Sequence, residues 1–177
     1  MHPELERVLG AVPDGDLADV SLNDIRDRRA TAQLLEESVS YLRRIIQVRL
    51  DILGTELAHR RSGDSPADMS ELVSRLPEIL AEHSRGPGFG QAPRDLRVPD
   101  LDAALAATVD DIVPTAQLAQ IDQLADDELT SLVDQLDTLE TDVSAARRTL
   151  HTRLDALQAE ITRRYRTGEA SVDSLLQ

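Results

Sequence analysis

Displaced by 104 residues, the sequence matches itself. Across positions 35–57 and 139–161, 11 of 23 residues are identical without a gap. The identities are Leu35/Leu139, Glu36/Glu140, Val39/Val143, Ser40/Ser144, Arg43/Arg147, Arg44/Arg148, Arg49/Arg153, Leu50/Leu154, Asp51/Asp155, Leu53/Leu157 and Glu56/Glu160. A chain that carries one helical segment twice must find a packing that serves both copies, and this restricts its fold more than length or composition does.

The matches fall into two stripes. Leu35, Val39, Leu42, Ile46, Leu50, Leu53 and Leu57 recur at steps of three or four, opposite Leu139, Val143, Ala146, Leu150, Leu154, Leu157 and Ile161 in the second copy. That spacing is a coiled-coil seam. The second stripe is polar: Glu36, Ser40, Arg43, Gln47 and Asp51, with Glu140, Ser144, Arg147, His151 and Asp155 as its counterpart. At about 100° per residue these five side chains stay within an arc of about 80° beside the seam. A charged residue there is ordinarily rim decoration. Here Ser, a moderate helix former, recurs in register with the same acid, Arg and Asp, while exposed neighbours have diverged to Tyr41/Ala145, Val48/Thr152 and Thr55/Ala159.

Element boundaries follow from local chemistry. Residues 1–20 hold Pro13, Gly15, Asp14, Asp16 and Asp19 and read as a flexible acidic N-terminus. Ser21 with Asp24 three residues on is an acidic capping box, and it opens a first long helix over 21–62, stopped by Gly63, Asp64 and Pro66. The acids Asp126, Asp127 and Glu128 open a second over 126–168, which ends in basic residues and Gly168. Each rod is roughly 60 Å long. The connection, 63–125, predicts a short helix over 69–84 kinked at Pro77, a Gly/Pro loop from Gly86 to Pro99, and short helices around Leu101 to Val109 and Pro114 to Leu124. Residues 169–177 form a tail.

Composition removes several classes of function. With no Cys the chain has no disulfide framework, no thiolate metal site and no Cys nucleophile, as suits a reducing cytoplasm. A net charge of −14 and only three aromatics argue against direct nucleic-acid binding. No apolar run reaches the roughly 18 residues of a membrane span, and Met1 to Glu6 lacks a signal sequence's basic and apolar regions. The expectation is a soluble cytoplasmic protein.

A connection of this length permits parallel or antiparallel helices. One antiparallel register lays Leu35 to Leu57 beside 134–156, bringing Arg43 and Arg44 next to Arg148 and Arg147 at mid-length, with Glu36 near Asp155 and Asp51 near Glu140. Four unpartnered arginines repel one another and call for an anionic ligand. Arg forks onto phosphate or the guanine O6/N7 edge and stacks on bases, while carboxylates accept from the N1–H and N2 donors of guanine. A symmetric cyclic dinucleotide of guanine meets these demands.

The pattern E-x3-S-x2-R-x3-Q-x3-D, present as Glu36, Ser40, Arg43, Gln47 and Asp51 and again as Glu140, Ser144, Arg147, His151 and Asp155, resembles the signature of the RsiG-type anti-sigma factors. Only His151 departs from it. The likeness extends to Ser70 through Leu80 and to Arg163 through Leu176, and covers most of residues 17 to 176. The resemblance implies an all-α fold: a long antiparallel helical hairpin, or coiled coil, with a short additional helix and an irregular connection. It implies cyclic di-GMP as regulatory ligand, bound as a partly intercalated pair by the ten motif residues, to which the arginine cluster adds Arg44 and Arg148. It also implies a WhiG-type sporulation sigma factor as the partner, held while nucleotide is bound. Two motifs in one chain imply a monomer.

Other readings compete with this one. A structural coiled-coil adaptor would need no nucleotide. An enzyme is disfavoured, because the motif carboxylates lie about 20 Å apart along each helix and no nucleophile elbow, phosphate loop or metal-binding helix is present. His151 reads either as a replacement hydrogen-bond donor that brings pH sensitivity or as a tolerated rim residue. His2, His59 and His83 share no helical face, so no metal is expected.

Overall fold

The computed structural model describes residues 1–62 and 103–169. Its elements are α1 (Pro3–Gly10), α2 (Leu22–Ser62), α3 (Ala103–Asp110), the single turn α4 (Thr115–Leu118), a 3₁₀ turn (Ile121–Gln123) and α5 (Asp126–Thr167). The two long helices pack against each other as a hairpin. α2 opens, and α5 opens and closes, as their sequences dictate, while the stop expected at Gly63, Asp64 and Pro66 lies outside the described residues. Ser21 Oγ accepts from the Asp24 N–H at 3.1 Å and donates to its carboxylate at 2.7 Å. At the start of α5 the Glu128 carboxylate accepts the Ala125 N–H at 2.9 Å, and at its end Gly168 takes the left-handed conformation, φ 75°, that lacks a Cβ penalty only in glycine.

The seam is dry. From α2 it buries Val39, Leu42, Ile46, Leu53 and Leu57, and from α5 Leu129, Leu132, Leu136, Leu139, Val143, Ala146, Leu150 and Leu157, with Leu35, Leu50, Leu154 and Ile161 partly covered. Each fully buried large aliphatic contributes about 1.5–3 kcal/mol relative to exposure, which is how a chain almost without aromatics holds a stable core. The predicted helix over 69–84, the Gly/Pro loop and the end of the tail lie outside the described residues. The prediction around Leu101 to Val109 corresponds to α3.

The N-terminal segment differs from its sequence reading. Residues 1–20 are not a loose lead-in: Pro3 starts α1, where its missing N–H is not needed, and Leu5, Val8 and Val12 are buried. Leu5 and Val8 share a core with Leu105, Val109 and Val113, so α1 and α3 pack together against the hairpin.

The backbone partners of four arginines explain this placement. Arg49 donates to the carbonyl of Val113 at 2.6 Å, and Arg153 donates to that of Leu9. Arg60 donates to the carbonyls of Ile121 and Leu124, and Arg164 to those of Leu17 and Val20. Donors and acceptors alike stand 104 residues apart. The duplication therefore runs well beyond the motif: each half has a short helix, an irregular turn and a long helix, although α1 and α3 overlap rather than coincide under the displacement. By the helical step Arg49 and Arg153 lie on the far side of the seam from the polar ridges. The short helices thus cover one face of the hairpin and leave the ridge face open among the described residues.

Candidate ligand-binding site

The two polar ridges face each other across the hairpin and interlock. Arg43 of α2 donates its Nε–H to Glu140 Oε1 at 2.8 Å and Ser144 Oγ at 2.9 Å on α5. Arg147 of α5 does the same to Glu36 Oε1 at 3.2 Å and Ser40 Oγ at 2.8 Å on α2. Within each helix the Ser hydroxyl donates to the Glu one turn back, Ser40 to Glu36 at 2.6 Å and Ser144 to Glu140 at 2.9 Å. The reason for Ser in a helix is now physical: its hydroxyl fixes the carboxylate and completes the seat for the opposite guanidinium.

This arrangement corrects the register expected from sequence. Arg43 lies against Glu140 and Ser144, one turn from the Arg148 predicted beside it, and Glu36 meets Arg147 rather than Asp155. Of the four mid-length arginines, Arg43 and Arg147 are each paired with a carboxylate of the opposite helix. An apolar seam spaced at three and four fits nearly as well after a slide of one turn, and opposite charges along its rim select among the slides.

The pairing leaves specific groups open. Arg43 and Arg147 use only Nε, so both terminal amino groups of each guanidinium have no hydrogen-bond partner among the described residues, and the side chains are 35% and 40% exposed. Such an edge, held still from behind, is suited to a bidentate acceptor such as phosphate or a purine edge. Gln47 is half-buried and Arg44, Arg148, Asp51 and Asp155 are exposed, and none of these side chains pairs with a described residue. The structure thus brings Glu36, Ser40, Arg43, Glu140, Ser144, Arg147 and His151 into contact, and leaves the other five along the borders of the same face. Sequence reasoning missed Arg60 and Arg164, which set the frame around the site. Their displacement by the same 104 residues was the available signal.

Among the described residues no group of three His, Asp or Glu could hold a metal ion, and no helix is long and apolar enough to cross a membrane. The family model described as RsiG-like matches residues 11–80 and 115–177, well over half of the chain. No curated protein matches it.

Proposed function

The chain belongs to the RsiG-like family, a membership that suggests an anti-sigma role and no catalysis, and from that premise we propose that it binds cyclic di-GMP on its ridge face. In the nucleotide-bound state it sequesters a WhiG-type sigma factor in the cytoplasm and keeps sporulation genes off. The observation that carries the ligand reading is the pair Arg43 and Arg147, each seated by Nε on the opposite helix with its outer edge free. Across the hairpin they offer a symmetric ligand two like anchors. Arg44 and Arg148 add cationic planes for stacking on bases, and Asp51 and Asp155 add carboxylates for guanine N–H donors. A pair of nucleotides spans both ridges of one monomer.

Support for the partner comes from charge. Over residues 126–146 α5 carries Asp126, Asp127, Glu128, Asp134, Asp137, Glu140 and Asp142 and no Lys or Arg. Sigma factors present basic surfaces for promoter DNA, and an acidic rod draws them in by long-range attraction. By linkage, ligand and sigma factor raise each other's affinity by the same factor.

Calorimetric titration with cyclic di-GMP tests the first half: saturable heat is expected, and its loss in the Arg43→Ala, Arg147→Ala double variant. No heat, or unchanged binding by that variant, refutes the ligand. Co-elution with the sigma factor that is equally tight without nucleotide refutes the second half and favours a plain adaptor.

A further inference from the structure

The duplicated ridges are unequal at one position, where Gln47 in the first copy corresponds to His151 in the second. The two side chains behave differently. His151 Nε2 lies 3.1 Å from Glu36 Oε1, whereas Gln47 makes no side-chain hydrogen bond to a described residue. Glu36 Oε1 thus serves Ser40, Arg147 and His151, while Glu140 Oε1 serves Ser144 and Arg43 alone. The longer bond from Arg147, 3.2 Å against 2.8 Å for Arg43, fits a carboxylate oxygen divided among more donors.

The charges around His151 are close to balanced. Glu36 faces it from α2. On α5 Arg147 and Arg148 lie one turn before it and Asp155 one turn after, and on α2 Arg29 follows the same ridge two turns before Glu36. The imidazole is 48% exposed, so solvent protons reach it. An anion bound on this face adds negative charge beside the imidazole, and a nearby opposite charge favours the charged form of such a ring.

We propose that His151 makes one half of the site proton-linked: an anionic cyclic dinucleotide binds there with net uptake of up to about half a proton from solvent, while the Gln47 half has no such counterpart. Nε2–H stays directed at Glu36 and the entering proton is carried on Nδ1, leaving an imidazolium between Glu36 and the ligand phosphate. This inference rests on the ligand reading above.

The test is calorimetric titration of the full chain with cyclic di-GMP from about pH 5.5 to about pH 8, in buffers of different ionisation heat, for the wild type and His151→Gln. Wild-type affinity is expected to fall about three- to tenfold as pH rises through the histidine range, with a heat that varies with the buffer. His151→Gln is expected to bind with neither dependence. Binding that is independent of pH in the wild type, or equally pH-dependent in the variant, overturns the proton linkage alone. Absence of binding by both proteins at every pH overturns the ligand reading and this inference with it.

Discussion

Arg60 and Arg164 do the same work at opposite ends of the hairpin: each closes the far end of one long helix over the carbonyls that precede the other. Arg60 takes those of Ile121 and Leu124, ahead of α5, and Arg164 those of Leu17 and Val20, ahead of α2. Each is also braced by a carboxylate one turn back, Glu56 or Glu160. The hairpin is thereby fastened at both ends by side chain to backbone bonds, and its register does not depend on the apolar seam alone.

Truncating these arginines should therefore destabilise the fold unequally. Arg164 is 8% exposed, and Arg164→Ala removes the donor to the partly buried carbonyls of Leu17 and Val20 and one of the two arginines on Glu160, for an expected loss of about 2–4 kcal/mol. Arg60 is less buried, with Asp126 as an exposed partner, and Arg60→Ala should lose about 1–3 kcal/mol. Urea unfolding followed by helical circular dichroism measures both, and the ranking is the sharper check.

At mid-seam the duplication is deliberately broken in volume, with Leu42 in one copy and Ala146 in the other, both fully buried. Leu42→Ala should lose about 2–5 kcal/mol by leaving a cavity. Ala146→Leu should lose about 1–3 kcal/mol by overpacking. The double exchange restores total volume about the axis and should recover most of the loss, to within about 1.5 kcal/mol of the wild type, a coupling that a double-mutant cycle reads directly.

The ridge arginines should behave in the opposite way. Their ion pairs are partly exposed, so Arg43→Lys or Arg147→Lys should change stability by less than about 1 kcal/mol. Lysine has no Nε–H fork to seat on Glu and Ser while presenting a second edge, and cyclic di-GMP affinity should fall at least about tenfold per substitution. Thermal melts and calorimetry on the same samples separate the two effects.

Acid should loosen the C-terminal end of α5 through Glu160. Hydrogen bonds from Arg163 and then Arg164 lower its carboxyl to about 2 from an ordinary 4.5. A carboxylate depressed in the folded state contributes stability above its unfolded value, and that contribution is lost as pH falls through 4.5 toward about 2. Glu160→Gln should flatten the pH dependence of unfolding in that window, followed by circular dichroism.

Much of this architecture was legible because identity and periodicity coincide in the long helices. The seam positions, the Ser21 cap and the Gly168 stop all follow from local rules that the tertiary structure leaves in force. The lead-in segments escaped notice because the copies there share character rather than identity: Leu5/Val109, Leu9/Val113, Leu17/Ile121 and Val20/Leu124. A search for repeated letters passes over them, yet their burial and the arginines that bind their carbonyls make them equivalent. The register was misread for a different reason. Apolar spacing alone allows slides by a turn, and the choice lies in reciprocal pairs, Arg43 with Glu140 and Arg147 with Glu36, which must be tested jointly.

A homodimer assembled from single units carries every substitution twice about its axis. Joining both units in one polypeptide lifts that constraint, so each wall of the receptor can be revised without its mirror image. Leu42 against Ala146 and Gln47 against His151 are revisions of this kind. Under the proposed function, a two-fold ligand would meet a host able to tell left from right, and a partner protein would recognise one orientation of the complex instead of two.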